Sequence, residues 1–270
     1  MMTHLERIMS RTSAKLVERK QRTSLSDLER RAEDHQPRGF AAALKRVAES
    51  GPAIIAELKK ASPSKGVLRE DYQPAVTAPA YQQAGAAAIS VLTDEEFFQG
   101  SLDDLVQVAK AVSLPVLRKD FILDPFQILE ARAAGADAVL LIVAAHSDEI
   151  LEALHAAAQA LHLDVLCEVH DWEELQRATD LGFETIGVNC RDLKTLAVNP
   201  DRHLELAETM PAHGLRVAES GIRDGEDIRR LRDAGYQAFL IGEALMREQD
   251  PGAALAALIA QSVATPAAAV

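Results

Sequence analysis

Two opposite charges inside one apolar run are where this sequence first suggests chemistry. In Ile54-Ile55-Ala56-Glu57-Leu58-Lys59-Lys60-Ala61-Ser62-Pro63-Ser64-Lys65-Gly66 the leading residues read as a core β-strand, and Pro63 with Gly66 marks the loop that ends it. Side chains alternate along a strand, so Glu57 and Lys59 point to one face. Leaving either charge buried and unpaired is costly, so at a strand's end they pair or act on a ligand. This window alone also allows an edge strand with one wet face.

Later apolar runs end in the same way. Leu117-Arg118-Lys119-Asp120-Phe121 offers Lys119, and Leu166-Cys167-Glu168-Val169-His170 offers Glu168. Gly187-Val188-Asn189-Cys190-Arg191-Asp192 offers Asn189 and Arg191, and Val217-Ala218-Glu219-Ser220-Gly221 offers Glu219 and Ser220. Carboxylates, cations and an amide brought together are the equipment of general acid–base catalysis, because mutual pairing and partial desolvation set their proton affinities. The competing reading is a purely structural network of ion pairs. Two runs end in Ser220-Gly221-Ile222 and Ile241-Gly242-Glu243-Ala244, where glycine lets backbone N–H groups approach an anionic ligand.

The elements that must position these residues follow from the spacing. Strands are expected near Ile54–Leu58, Ala88–Leu92, Pro115–Arg118, Ala138–Val143, Asp164–Val169, Thr185–Asn189, Arg216–Glu219 and Ala238–Ile241. They begin roughly 20–35 residues apart, the length of a strand, a loop, a helix and a return loop. Several are almost wholly apolar, as parallel strands covered on both sides should be. Asp171 is placed to cap the helix beginning Trp172-Glu173-Glu174-Leu175, and Gly182 to stop it. Ala-Gly-Ala-Asp at 134–137 and Ala-Gly-Tyr-Gln at 234–237 punctuate two further helix-to-strand returns. Eight such units predict an α/β fold, a single closed (β/α)8 TIM barrel. No Gly-x-Gly-x-x-Gly follows a strand, which argues against an open dinucleotide-binding sheet. About 50 residues precede the first strand, with helical patterns near Leu5–Arg19, Ser24–Asp34 and Gly39–Glu49, and read as an N-terminal extension packed on the barrel. Residues 1–263 are thus expected to form one domain, and 264–270 a frayed tail.

In such barrels the C-terminal ends of the strands carry the active site, and the loops after the seventh and eighth strands hold phosphate. Glycines in both of those loops point to a phosphorylated substrate. His170 has no third ligand in view, so no metal is expected. Cys167 and Cys190 are expected to pack outside the pore, and Phe97-Phe98 could line an apolar pocket or cap the barrel.

The bulk composition limits partners. Of 270 residues, 48% are hydrophobic and 26% charged, the proportions of a globular protein. Acidic residues outnumber basic ones 41 to 29, so the net charge of −12 disfavours nucleic acid and anionic membranes. No apolar run approaches a membrane span, residues 1–20 lack a signal peptide's apolar core, and two cysteines suit a reducing cytoplasm.

These motifs resemble the indole-3-glycerol phosphate synthase family. The segment Ile54 to Ser64 looks like its signature. Val91-Leu92-Thr93-Asp94, Phe97-Phe98-Gln99-Gly100-Ser101 and the blocks around Lys119, Asn189, Glu219 and Gly242 follow in the family's order. Cys190 departs from the Asn or Ser expected there, beside intact Asn189 and Arg191. The resemblance implies closure of an indole ring on 1-(2-carboxyphenylamino)-1-deoxyribulose 5-phosphate, with loss of carbon dioxide and water and no cofactor. It implies Lys119 as the acid for ring closure, Lys59 and Glu168 as the candidates for the second acid and the base of dehydration with their roles not apportioned, Glu57 and Glu219 orienting the lysines, and Asn189 on the reacting hydroxyl. Arg191 would fork onto the substrate carboxylate. Ser62, Gly221, Gly242 and Glu243, beside Ser220, would hold phosphate, and Phe98 and Phe121 would stack on the anthranilate ring. The chain holds one barrel, so a fused second barrel of the next isomerase in the pathway is not expected. A monomer, with weak association with other tryptophan-pathway enzymes left open, is the expected state. The rivals are a phosphoribosyl isomerase on the same barrel, whose first strand should start much earlier, and a silent barrel that senses a sugar phosphate.

Overall fold

The computed structural model describes residues 2–263; the expected tail at 264–270 lies outside them. Eight strands form where the apolar runs stand. They are β1 Ala53–Leu58, β2 Ala88–Leu92, β3 Val116–Lys119, β4 Ala138–Ile142, β5 Asp164–Val169, β6 Thr185–Asn189, β7 Leu215–Glu219 and β8 Ala238–Ile241. Neighbours in sequence are parallel neighbours in space, and β8 closes on β1. The expected (β/α)8 TIM barrel is therefore what the chain forms.

Where boundaries moved, local chemistry moved them. Proline lacks an N–H, so Pro115 contributes only its carbonyl, which accepts from Ile89, and β3 begins one residue later. Val143 opens a single 3-10 turn over Val143–Ala145 instead of ending β4. A short antiparallel pair, Ala61–Ser62 with Gly66–Val67, stiffens the loop after β1 and was not anticipated.

The loops end where helices are capped. Ser101, Asp124, Asp171 and Asp224 each accept a hydrogen bond from a backbone N–H two or three residues on, at 2.9–3.0 Å. Each such cap satisfies a donor that the first turn leaves free, and so fixes the length of the loop that precedes it. At the far ends, Gly135 and Gly235 adopt φ of 93° and 96°, a left-handed turn that costs a residue with a Cβ more than it costs glycine.

Outward-facing strand residues such as Ile54, Ala56, Ile89, Val139 and Leu141 pack under the helices. Inward-facing ones, including Ile55, Leu117, Leu140, Leu166 and Val217, fill the barrel. The N-terminal extension spans the barrel from one end to the other. Its first helix, α1 His4–Arg22, puts Leu5 and Ile8 against Phe97, Phe98 and Leu193, in loops that follow β2 and β6. Farther along, Arg19 pairs with Glu130 at 3.3 Å and Lys20 with Asp124 at 2.7 Å. After α2 Leu25–Asp34, the helix α3 Phe40–Ala48 buries Phe40 and Leu44 fully among Ala53, Ala88, Ala138, Leu215 and Ala238, the first residues of their strands. The extension thus plugs the bottom of the barrel and walls its mouth. Among the described residues no helix is long and apolar enough to cross a membrane.

Asp137, just before β4, ties the extension down. It is fully buried and accepts from the backbone N–H of Arg38 (2.7 Å) and of Val116 (2.7 Å), while His35 Nε2 and Arg38 Nε stand 3.2 Å away. Burial alone would raise its proton affinity, but His35, Arg38 and the two backbone donors outweigh it and hold the carboxyl below the usual range. Asp137→Ala removes the charge partner of Arg38 and leaves two buried backbone donors unpaired, so urea unfolding should show a loss of about 3–5 kcal/mol. A loss of less than about 1 kcal/mol, the scale of an exposed pair, would mean that Asp137 is not the anchor.

Candidate active site

The odd-numbered strands each send one charged side chain inward at the same level: Glu57 from β1, Lys119 from β3, Glu168 from β5 and Glu219 from β7. Residues from alternate strands forming one layer is the packing rule of this barrel. Lys119 Nζ stands 3.2 Å from Glu168 Oε2 and 3.7 Å from Glu219 Oε2. Lys59 Nζ pairs with Glu57 Oε2 at 2.5 Å. One ammonium therefore serves two carboxylates, while a second lysine has its own.

Small residues on the even strands leave room for that layer. A Cβ on Gly187 of β6 would come within 2.1 Å of Glu219 Oε1, and one on Gly242, after β8, within 2.3 Å of Glu57 Oε2. Ser90 of β2, register partner of Glu57, is the third, and its buried hydroxyl has no hydrogen-bond partner. Gly242 was expected to serve a ligand's phosphate; accommodating Glu57 is a second demand on the same atom. Gly187 and Ser90 were not singled out by sequence, because their role exists only once neighbouring strands are in register.

The electrostatics follow from burial. Burial favours the neutral form of Glu219, and the negative charge of Glu168 adds to it, so Glu219 is pushed up to about 8 in spite of Lys119. Both of its oxygens lack a hydrogen-bond partner. Burial pushes Glu168 the same way, but the Lys119 charge, His170 and Asn189 overcome it and hold Glu168 well below the carboxylate range. Desolvation pulls Lys119 down, and Glu168, Glu219 and Glu57 together push it above the ordinary lysine value. At neutral pH the trio is a charged lysine, a charged Glu168 and a protonated Glu219, the division expected when like charges share a dry site.

Behind Glu168 stands His170, a residue weighed by sequence only as a metal ligand. Its Nε2 is 3.3 Å from Glu168 Oε1 and its Nδ1 is 3.0 Å from Glu174 Oε2. The same Glu174 oxygen accepts the backbone N–H of His170 at 2.8 Å. Burial lowers the ring's proton affinity, but the two carboxylates win and raise it to about 10.

Two cavities open above the charged layer. The larger, of about 620 Å³, is lined by Glu57, Lys59, Arg191, Ser220, Gly221, Gly242 and Glu243, with Ser64, Lys65 and Arg247 as cations and donors that sequence did not single out. Ser220 and Gly221 adopt φ of 66° and 71° in succession, bending the loop after β7 around this space. The smaller, of about 60 Å³, is apolar and lies between Phe98, Phe121, Leu5, Ile8 and Leu193. Phe98 and Phe121 face each other at a ring separation of 6.4 Å and a tilt of 37°. Lys59, Ser64, Arg191 and Glu243 border both cavities, so one elongated ligand could reach both. Ser62 borders the small cavity and not the large one. Asn189 accepts the Arg191 N–H at 3.0 Å, and the Arg191 guanidinium lies 3.7 Å from Glu243. Lys119, Glu168, Asn189 and Glu219 border neither cavity.

The family described as indole-3-glycerol phosphate synthase has a model that matches residues 5–258. The indole-3-glycerol phosphate synthase of Koribacter versatilis (strain Ellin345) is 55% identical over 259 residues, covering 96% of this chain and 100% of that one. That of Acidithiobacillus ferrooxidans (strain ATCC 53993 / BNL-5-31) is 50% identical over 253 residues, covering 93% and 96%. Among solved structures, thiamine phosphate pyrophosphorylase from Pyrococcus furiosus aligns with a TM-score of 0.57 over 80% of this chain and 97% of that one. At 16% identity it shows the fold alone.

The raised affinity of Glu219 predicts a stability signature. The unfolded chain loses this proton near the ordinary carboxylate value and the folded chain near 8, so the native state is favoured most below about 4.5 and loses that contribution as pH rises to about 8. Chemical denaturation across this window should show a Glu219-dependent fall on the order of a few kcal/mol that Glu219→Gln removes. Identical pH slopes for the two proteins would show that Glu219 ionises normally.

Proposed function

From the premise that the chain belongs to the indole-3-glycerol phosphate synthase family, we propose the division of labour among its site residues. Its reaction converts 1-(2-carboxyphenylamino)-1-deoxyribulose 5-phosphate to indole-3-glycerol phosphate, carbon dioxide and water, a carboxy-lyase step of tryptophan biosynthesis. One observation carries the assignment: a buried lysine held between two carboxylates, next to a cavity pair that is polar at one end and apolar at the other.

The phosphate lies in the large cavity against the N–H groups of Gly221, Gly242 and Glu243, with Ser220, Ser64 and Lys65 beside it. The anthranilate ring occupies the apolar cleft between Phe98 and Phe121, and Arg191 and Lys59 meet its carboxylate where the cavities join. Ser62 lies at this ring end. Holding both ends at once restricts the substrate to poses in which the ring carbon can face the ketone, which converts binding into proximity.

Lys119 gives a proton to the ketone oxygen as the ring carbon attacks, and the new carbon–carbon bond leaves a hydroxyl that Asn189 holds. Carbon dioxide departs, and its bonding pair restores the aromatic ring. Lys59 then protonates the hydroxyl, which leaves as water, while Glu168 takes a proton from the methylene carbon beside nitrogen. Glu57 pairs with Lys59 and aims it. Glu219, neutral, keeps Lys119 from being held by two full charges, so that the ammonium can release its proton. The net charge of −12 supports a monomer, and two cysteines outside any disulfide suit the cytoplasm.

Indole absorbance and fluorescence during incubation with the anilino-ribulose phosphate report turnover. Lys119→Ala should lower kcat by a factor on the order of 10³ or more with little change in KM. Wild-type turnover in that variant would remove Lys119 from its role. Gly187→Ala, which intrudes on Glu219, should cost about tenfold or more in kcat while Lys119 remains in place. An unimpaired variant would show that the position of Glu219 does not matter.

A further inference from the structure

The proposed reaction, on which this inference rests, stacks the anthranilate ring between Phe98 and Phe121 while Lys119 protonates the ketone. Those two rings stand on the loops after β2 and β3, and Lys119 ends β3. Loops are the mobile parts of a barrel, so whatever fixes these two also fixes the approach of ring carbon to acid.

One position before Lys119, and so facing away from the pore, Arg118 is fully buried. A guanidinium keeps its charge at any working pH, so its donors need partners there. Nη2 donates to Asp120 Oδ2 at 2.8 Å, and Nε donates to Thr93 Oγ1 at 3.2 Å. Nη1 donates to the carbonyl of Gln127 at 2.7 Å and lies 3.5 Å from Glu130 Oε2, both on the helix Pro125–Ala133. Thr93 Oγ1 in turn donates to the same Asp120 oxygen at 2.7 Å. Arg118, Thr93 and Asp120 thus close a triangle between the ends of β2 and β3.

From that triangle, bonds lead to each wall of the ring pocket. The other oxygen of Asp120 accepts the N–H of Phe121 at 2.9 Å, and the Gln127 side-chain amide donates to the Phe121 carbonyl at 2.9 Å. Both backbone groups of Phe121 are therefore held. The N–H of Thr93 donates to the carbonyl of Lys119 at 3.2 Å. Asp94, next in sequence, accepts the N–H of Phe97 at 2.6 Å and that of Phe98 at 3.3 Å. Glu130, shared with Arg19 at 3.3 Å, reaches the helix whose Leu5 and Ile8 complete the apolar cleft.

We propose that Arg118 is a positioning residue for ring closure: its guanidinium locks the ends of β2 and β3 together, and so sets both the gap between Phe98 and Phe121 and the place of Lys119 beside the ring held there. Arg118 itself touches no substrate. Its effect is confined to the ring end, because none of Arg118, Thr93, Asp120, Phe98 and Phe121 borders the large cavity assigned to phosphate. A lysine in its place would keep the charge but lose the rigid fork that meets several partners at once.

Inhibition of turnover by anthranilate reads the ring end, and inhibition by inorganic phosphate reads the other. In Arg118→Lys and in Thr93→Val, kcat should fall about tenfold or more, and anthranilate should bind about fivefold or more weakly. Phosphate inhibition should stay within about twofold of wild type, whereas a general loosening of the barrel would weaken both probes. Thr93→Val takes the hydroxyl out of the triangle, keeps the backbone N–H and strips no charge of its partner, so it decides alone should Arg118→Lys not fold. Anthranilate binding as in wild type, or equal losses for both probes, overturns the positioning role. Phe98→Ala reads the ring placement separately: it should weaken anthranilate at least as much, and if it does not, the placement itself fails. Anthranilate weakened by Phe98→Ala and not by the other two variants leaves the placement standing and removes Arg118 from its role.

Discussion

The site depends on a shortage of positive charge in a dry place. Glu168 and Glu219 are each about 1% exposed and both face one ammonium group. Two ionised carboxylates there would repel each other in a medium that screens poorly, so one takes a proton and the other takes the lysine. That division leaves each of the three groups in the state that the proposed mechanism needs. Lys119 is charged and can donate, Glu168 is ionised and can accept, and Glu219 balances the field without binding the lysine tightly.

The rest of the fold can be understood as what makes that layer possible. Odd strands deliver the charges, and even strands withhold bulk at Ser90, Gly187 and Gly242 so that the carboxylates fit. Asp137 and the plug of Phe40 and Leu44 hold the barrel floor, while Leu5 and Ile8 at the other end of the same extension help build the apolar half of the mouth. The N-terminal extension thus serves both the packing of the floor and the shape of the mouth.

Much of this was legible from local signals. The two-residue spacing of Glu57 and Lys59 announced a shared face, and the Asp and Ser caps and Ala-Gly returns marked where each unit began and ended. Glu168 and His170 have the same two-residue spacing, so a signal for their contact was present, although it was weighed only for metal. What was not legible depends on distance across the barrel. The order of proton affinities in Glu168 and Glu219 comes from which strand ends stand beside Lys119. The intrusion of Leu5 and Ile8 into the mouth pairs residues about 90 and 190 positions apart, which no local pattern encodes.

The most direct test is the protonation of the two carboxyls themselves. Carbon-13 NMR of protein labelled at the glutamate side-chain carboxyl, with Glu168→Gln and Glu219→Gln for assignment, reads each group separately. The Glu219 signal should move near pH 8, and the Glu168 signal should hold its ionised position down to strongly acidic pH. Two carboxyls that are both ionised from about pH 5 to 9 would contradict a division of charge set by burial.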